Sequence, residues 1–137
     1  MTYTSPSENA LLKQQLSELS TCSGSNIDIV KGGRAYFDLL LKLIGDAQRS
    51  VHLQTYIFDD DVTGTLVAEA LMAAARRHVN VYILADGYAS QVMSQRFINK
   101  LRSAGIYFRF FEPVLHSSYF YFGRRLHHKI FVADNKH

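Results

Sequence analysis

Apolar residues recur along this chain in two alternating rhythms. From Ala35 to Ala47, Phe37, Leu40, Leu41 and Ile44 fall three and four apart, the spacing of one helical face. Val51–Phe58 and Val79–Ala85 are short apolar runs bounded by polar residues, which predicts strands, the second buried on both sides. Between them, Thr63–Arg77 reads as an alanine-rich helix with Thr63 as its cap. A helix over Gln91–Ser103, ended by Gly105, and a strand over Ile106–Phe111 follow. The last apolar run, Ile130 to Ala133, sits in a strand with polar ends, Leu126–Asp134. Near the N-terminus, Ser5-Pro6-Ser7-Glu8 is a capped helix start, and Leu12, Leu16 and Leu19 make the apolar stripe behind it. A Ser/Gly/Thr loop, a short strand over Asn26–Val30 and a Lys31-Gly32-Gly33 turn complete the order.

Strands alternating with helices of this length predict an α/β fold: a largely parallel mixed sheet flanked by helices on both faces. Residues 1–25 form an N-terminal helix and loop, and residues 26–137 the α/β domain. The strand around residues 127–133 is expected beside Val51–Phe58 or Val79–Leu84.

That last strand carries the chemistry. Its sequence contains His127, Lys129 and Asp134 in the pattern H-x-K-x-x-x-x-D. Side chains alternate across an extended chain, so His127 and Lys129 share one face and His128 takes the other. An imidazole can attack phosphorus and leave again, while an ammonium steadies the charge on the non-bridging oxygens. Asp134 has the opposite parity to His127 and reads as a supporting or charge-balancing residue.

The bulk composition restricts the partners only loosely. The chain has 137 residues, 47% of them hydrophobic and 20% charged, with a net charge of +3. That is ordinary for a globular domain, and the mild basicity suits an anionic partner such as a phospholipid headgroup or nucleic acid. The single cysteine, Cys22, rules out an internal disulfide, fits a reducing compartment, and has no ligand-spaced neighbours. No run is long enough to span a membrane, since Leu39–Ile44 is interrupted by Lys42, and no signal peptide is present. Asp59-Asp60-Asp61 reads as a solvated strand end and helix start, and His52, His78 and His116 lack metal-ligand spacing. The aromatic segment before the motif, Tyr119–Phe122 with Arg124 and Arg125, reads equally well as an active-site lip or as rings packed on the core.

From about Val30 to Asp134 the chain resembles the phospholipase D superfamily, most closely the N-terminal half of bacterial cardiolipin synthases. The likeness rests on Phe37, Leu40, Leu41 and Ile44, on Val51 to Phe58 with its Tyr56-Ile57-Phe58, and on Asp61 and Gly64. It continues through Ala68–Arg77, Val79 to Gly87, Ala104-Gly105, Phe111, Pro113, Arg125 and the H-K-D residues. The resemblance implies one half of a phospholipase D-like fold. It also implies catalytic roles for His127, Lys129 and Asp134, no cofactor and no metal.

The implied reaction is a two-step phosphodiester exchange through a phosphohistidine on His127. Its substrate would be an anionic, phosphatidylglycerol-like phospholipid at a membrane surface, on the cytoplasmic side of a bacterial cell membrane. The proton donor would come from a second H-K-D half-domain or a homodimer partner, because the sequence contains one such motif and ends three residues past Asp134. On that reading the isolated chain is silent and self-associates around the His127 strand. A dimeric single-motif phosphodiesterase or nuclease, with nucleic acid as partner, and a non-catalytic binding half-domain are the alternatives.

Overall fold

The computed structural model describes residues 27–111 and 125–135. The chain divides into two units, Met1–Lys31 and Gly32–His137. Of the first unit only Ile27–Lys31 is described. Its expected strand is absent there: Ile27 and Ile29 are 84% and 85% exposed, with no sheet partner among the described residues. The expected N-terminal helix and Cys22 lie outside the described residues.

The second unit runs α1 (Gly33–Asp46), β1 (Ser50–Thr55), α2 (Val62–Arg76), β2 (Asn80–Asp86), α3 (Gln95–Ser103), β3 (Tyr107–Phe111) and β4 (Ile130–Ala133). The four strands form one sheet in the order β3-β2-β1-β4. β1, β2 and β3 are parallel neighbours, whereas β4 lies antiparallel on β1, pairing Val51 with Ala133 and Gln54 with Ile130. The sheet is therefore mixed and mostly parallel, as the pattern of elements predicts.

The described helices cover one face of it. Successive steps from β1 to β2 to β3 move in one direction, and right-handed crossovers then place α2 and α3 on the same side. Burial follows the register. Val51, Leu53, Val81, Ile83, Ala85 and Phe108 join Leu40, Ile44, Leu71, Phe97 and Leu101 in a single core. The opposite face carries His52, Tyr82 and Tyr107 on one rung, stacked at 4.7 and 4.9 Å between ring centres. His52 is thus a sheet-face residue with an aromatic neighbour, in keeping with its bland reading from sequence.

Several element ends differ from expectation for local reasons. Asp61, not Thr63, caps α2, its carboxylate accepting from Gly64 N at 2.6 Å. α3 begins at Gln95, not Gln91, because the Ser94 hydroxyl accepts from Phe97 N and residues 87–92 are spent on turns. Gly105 ends α3 as expected, with φ at 87° and Ile106 N donating back to Leu101 O. The Arg77 guanidinium donates to the Ile44, Gly45 and Ala47 carbonyls, satisfying acceptors that α1 leaves open at its end.

Gly64 has no room for a side chain. A Cβ there would lie 1.9 Å from the Asp59 carbonyl oxygen, which is backbone and cannot swing aside. Gly64→Ala is expected to destabilise the unit by about 3 kcal/mol, the upper scale of overpacking. Urea unfolding of the two proteins measures the difference.

Candidate active site

The H-K-D segment reaches its place through the β1–β4 ladder. Gln54↔Ile130 is the last pair of that ladder, so His127, His128 and Lys129 precede β4 instead of lying in it. The reason is in β1. After Thr55 the chain bends and the Thr55 hydroxyl donates to Ile57 O, so β1 offers no strand beyond the position opposite Lys129. The strand expected over Leu126–Asp134 is thus shortened at its start, and among the described strands it occupies the edge.

The two proposed reactive side chains both lie near the bent segment Tyr56–Phe58. The His127 ring meets the Tyr56 ring edge-on at 4.9 Å. Lys129 lines a cleft of about 490 Å³ whose walls include Tyr36, Phe37, Leu40, Leu53, Ile57 and Val67, with Asp59 and Asp61 among its polar members. His127 and His128 are not among the residues lining that cleft. All three residues are exposed.

Asp59 introduces a feature absent from the sequence reading. Its Oδ1 is buried without a hydrogen-bond partner. Burial, reinforced by the neighbouring Asp61 and Asp60 charges, holds its carboxyl above the usual range. The solvated-run reading fits Asp60 and the helix-start reading fits Asp61, but Asp59 opens on the cleft that Lys129 lines. Among the described residues no cluster of His, Cys, Asp and Glu could hold a metal ion.

Asp134 stands apart from the other two. It follows β4, about 16 Å of extended chain from Lys129 at roughly 3.3 Å per residue. Its carboxylate accepts from the backbone N–H groups of Gln48, Arg49 and Ser50 at 2.6–3.1 Å, and its own N–H donates to Ser50 O at 2.7 Å. The residue therefore clasps the α1–β1 loop and anchors the far end of β4.

Sequence reasoning overlooked the contacts of two buried residues near His127. Asp86 and Ser90 are fully buried polar side chains at the end of β2 and in the turn after it. One Asp86 oxygen accepts from Tyr88 N and Ala89 N, and the other from Leu126 N at 2.8 Å. Burial pushes the Asp86 carboxyl up, but these donors and the nearby Arg125 charge outweigh it, and it rests below the usual range. Arg125 lies over the Tyr88 ring at 4.6 Å. Of the aromatic segment before the motif, residues 112–124 lie outside the described residues, so the lip reading and the core reading both stand.

Removing the Asp134 clasp should loosen β4. Asp134→Ala is expected to cost about 2 kcal/mol, the scale of charge-assisted hydrogen bonds. Denaturant unfolding, with amide exchange at Phe131 and Ala133 reporting β4 directly, measures it.

Comparison with known proteins agrees with this geometry. The family described as "Cardiolipin synthase, PLD-like domain" matches residues 40–137. Cardiolipin synthase B of Escherichia coli K12 is 37% identical over 116 residues, 81% of this chain and 27% of that protein. The major cardiolipin synthase ClsA of Bacillus subtilis is 32% identical over 111 residues, 80% of this chain and 23% of that protein. The chain thus spans about a quarter of the length of these relatives. Among solved structures, the phospholipase D family member Nuc of Salmonella typhimurium aligns with a TM-score of 0.53 and 25% identity, over 72% of this chain and 57% of that one. With the family match over residues 40–137 and a phospholipase D-like sheet, the chain belongs to the cardiolipin synthase group of phospholipase D-like domains.

Proposed function

We propose that this domain carries the nucleophilic half of a phosphatidyltransferase of the cardiolipin synthase type. The observation that carries the reading is the placement of His127 and Lys129 beside the bend after β1, in a chain similar to cardiolipin synthases over about four fifths of its length. In the first step a His127 ring nitrogen forms a bond to phosphorus and the bond from phosphorus to the leaving alcohol breaks. A general acid gives that alcohol its proton. In the second step an incoming lipid hydroxyl bonds to phosphorus, the bond to His127 breaks, and the same group takes the proton back. Lys129 is the cation for the non-bridging oxygens, whose charge builds in both steps.

The apolar walls beside Lys129 support a lipid donor over a soluble diester, since they offer hydrocarbon contact next to the phosphate clamp. The donor in this reading is a phosphatidylglycerol-like anion taken from a membrane surface, on the cytoplasmic side. No helix among the described residues is long and apolar enough to cross a membrane. The general acid is a second H-K-D histidine, from another half-domain or a second copy. On this reading Asp134 serves the reaction by anchoring β4.

In the full-length gene product, His127→Ala is expected to abolish turnover of phosphatidylglycerol. Lys129→Ala is expected to lower it by roughly 100-fold or more, the scale for losing one transition-state charge stabiliser. Radiolabelled lipid assays measure both. Near-normal turnover by His127→Ala would overturn the phosphohistidine reading.

A further inference from the structure

The two fully buried polar residues among those described, Asp86 and Ser90, sit at the end of β2 and in the turn after it, and both reach toward the surroundings of His127. Asp86 and Ser90 are both 0% exposed. A carboxylate without solvent persists there only because its lone pairs are occupied. One oxygen is satisfied locally by Tyr88 N and Ala89 N, which shape the turn. The other accepts from the N–H of Leu126, the residue immediately before His127. Ser90 works on the opposite flank. Its hydroxyl accepts from Phe58 N at 2.9 Å and donates to Tyr56 O at 3.3 Å, fixing the bend whose Tyr56 ring meets His127. Arg125 over Tyr88 adds a third tie between the same turn and the same segment.

We propose that the turn Asp86–Ser90 is a positioning cradle for His127, with Asp86 holding the backbone before the imidazole and Ser90 holding the aromatic wall beside it. His127 is itself exposed and lies outside the β-ladder, so the strand alone does not fix it. A nucleophile in that position needs its direction set by neighbours, because a shift of about 1 Å at the reacting atom costs roughly 100-fold in rate. Neither residue is placed to touch substrate in this account; both act through His127.

The chemistry of Asp86 makes the idea testable by a substitution of equal size. Both carboxylate oxygens accept, so an amide satisfies one set of donors and presents its own N–H₂ to the other. Asp86→Asn keeps the volume and breaks one side of the cradle. Ser90→Ala breaks the other. The inference that a rate depends on this cradle rests on the phosphohistidine reading, so the test has two separate readouts.

The first readout is amide hydrogen exchange in this chain. Asp86→Asn should speed exchange at Leu126 and His127 by about tenfold or more, the counterpart of one charge-assisted hydrogen bond. Exchange at Leu71 and Val81 in the core should stay unchanged. Equal acceleration at core amides would make Asp86 a general stability residue and overturn the proposal. Unchanged exchange at Leu126 would overturn it as well.

The second readout is turnover in the full-length gene product, with His127→Ala alongside. Asp86→Asn and Ser90→Ala should each lower kcat by roughly 100-fold with KM held within about twofold. The double variant should lose little more than either single one, since both act on one geometry. A fall shared between kcat and KM, or full additivity, would contradict positioning. Retained turnover in His127→Ala would sink the phosphohistidine reading instead, and the exchange data would still decide whether the turn holds Leu126.

Discussion

The antiparallel ladder between β1 and β4 runs from Val51↔Ala133 to Gln54↔Ile130, and the position of the whole motif follows from where that ladder stops. At one end Asp134 gathers three backbone N–H groups of the α1–β1 loop and fixes the register. At the other, β1 bends after Thr55 and releases the chain before Ile130 from strand geometry. A one-residue slip would turn Phe131 and Ala133 away from the helices they pack beside and would carry Lys129 off its cleft. The aspartate of the motif is thus coupled to the histidine mechanically, through four residues of strand, and has no need to approach it.

The fold was largely legible because burial writes itself into composition. β2 is a nearly unbroken apolar run since its inward residues enter the core and its outward ones stack with other rings. The helices showed through their three-and-four spacing, and β4 through Ile130 to Ala133. Boundaries were less legible wherever a side chain competes with the backbone for hydrogen bonds. Three consecutive aspartates offer three possible caps before α2, and only the geometry of Gly64 selects Asp61. The start of α3 slid to Gln95 because Asp86 captures two N–H groups of the following turn. Placement of α2 and α3 on the same sheet face follows from crossover handedness, which no local pattern encodes.

The candidate site divides along the same line. His127, Lys129 and Asp134 were visible as a motif, but the bonds from the Asp134 carboxylate to the backbone at residues 48–50 were not. His127 and Lys129 lie ahead of β4, so strand parity alone does not set which way they face. Asp86 was invisible as a contact for His127's segment, since the bond to Leu126 joins residues 40 apart in sequence. Asp59 was read as solvated, yet it shares a cleft with Lys129 and lacks a partner for one oxygen.

What unifies these features is that an exposed imidazole is given direction by buried groups behind it. The central claim is that this imidazole, His127, is the atom source for a covalent bond to phosphorus. The most direct measurement is to mix the full-length gene product with phosphatidylglycerol labelled in its phosphate, quench with alkali, and map the label by peptide sequencing. Phosphohistidine survives base, and the account predicts label on His127 alone. Label on the adjacent His128, or on neither histidine while turnover proceeds, would contradict it.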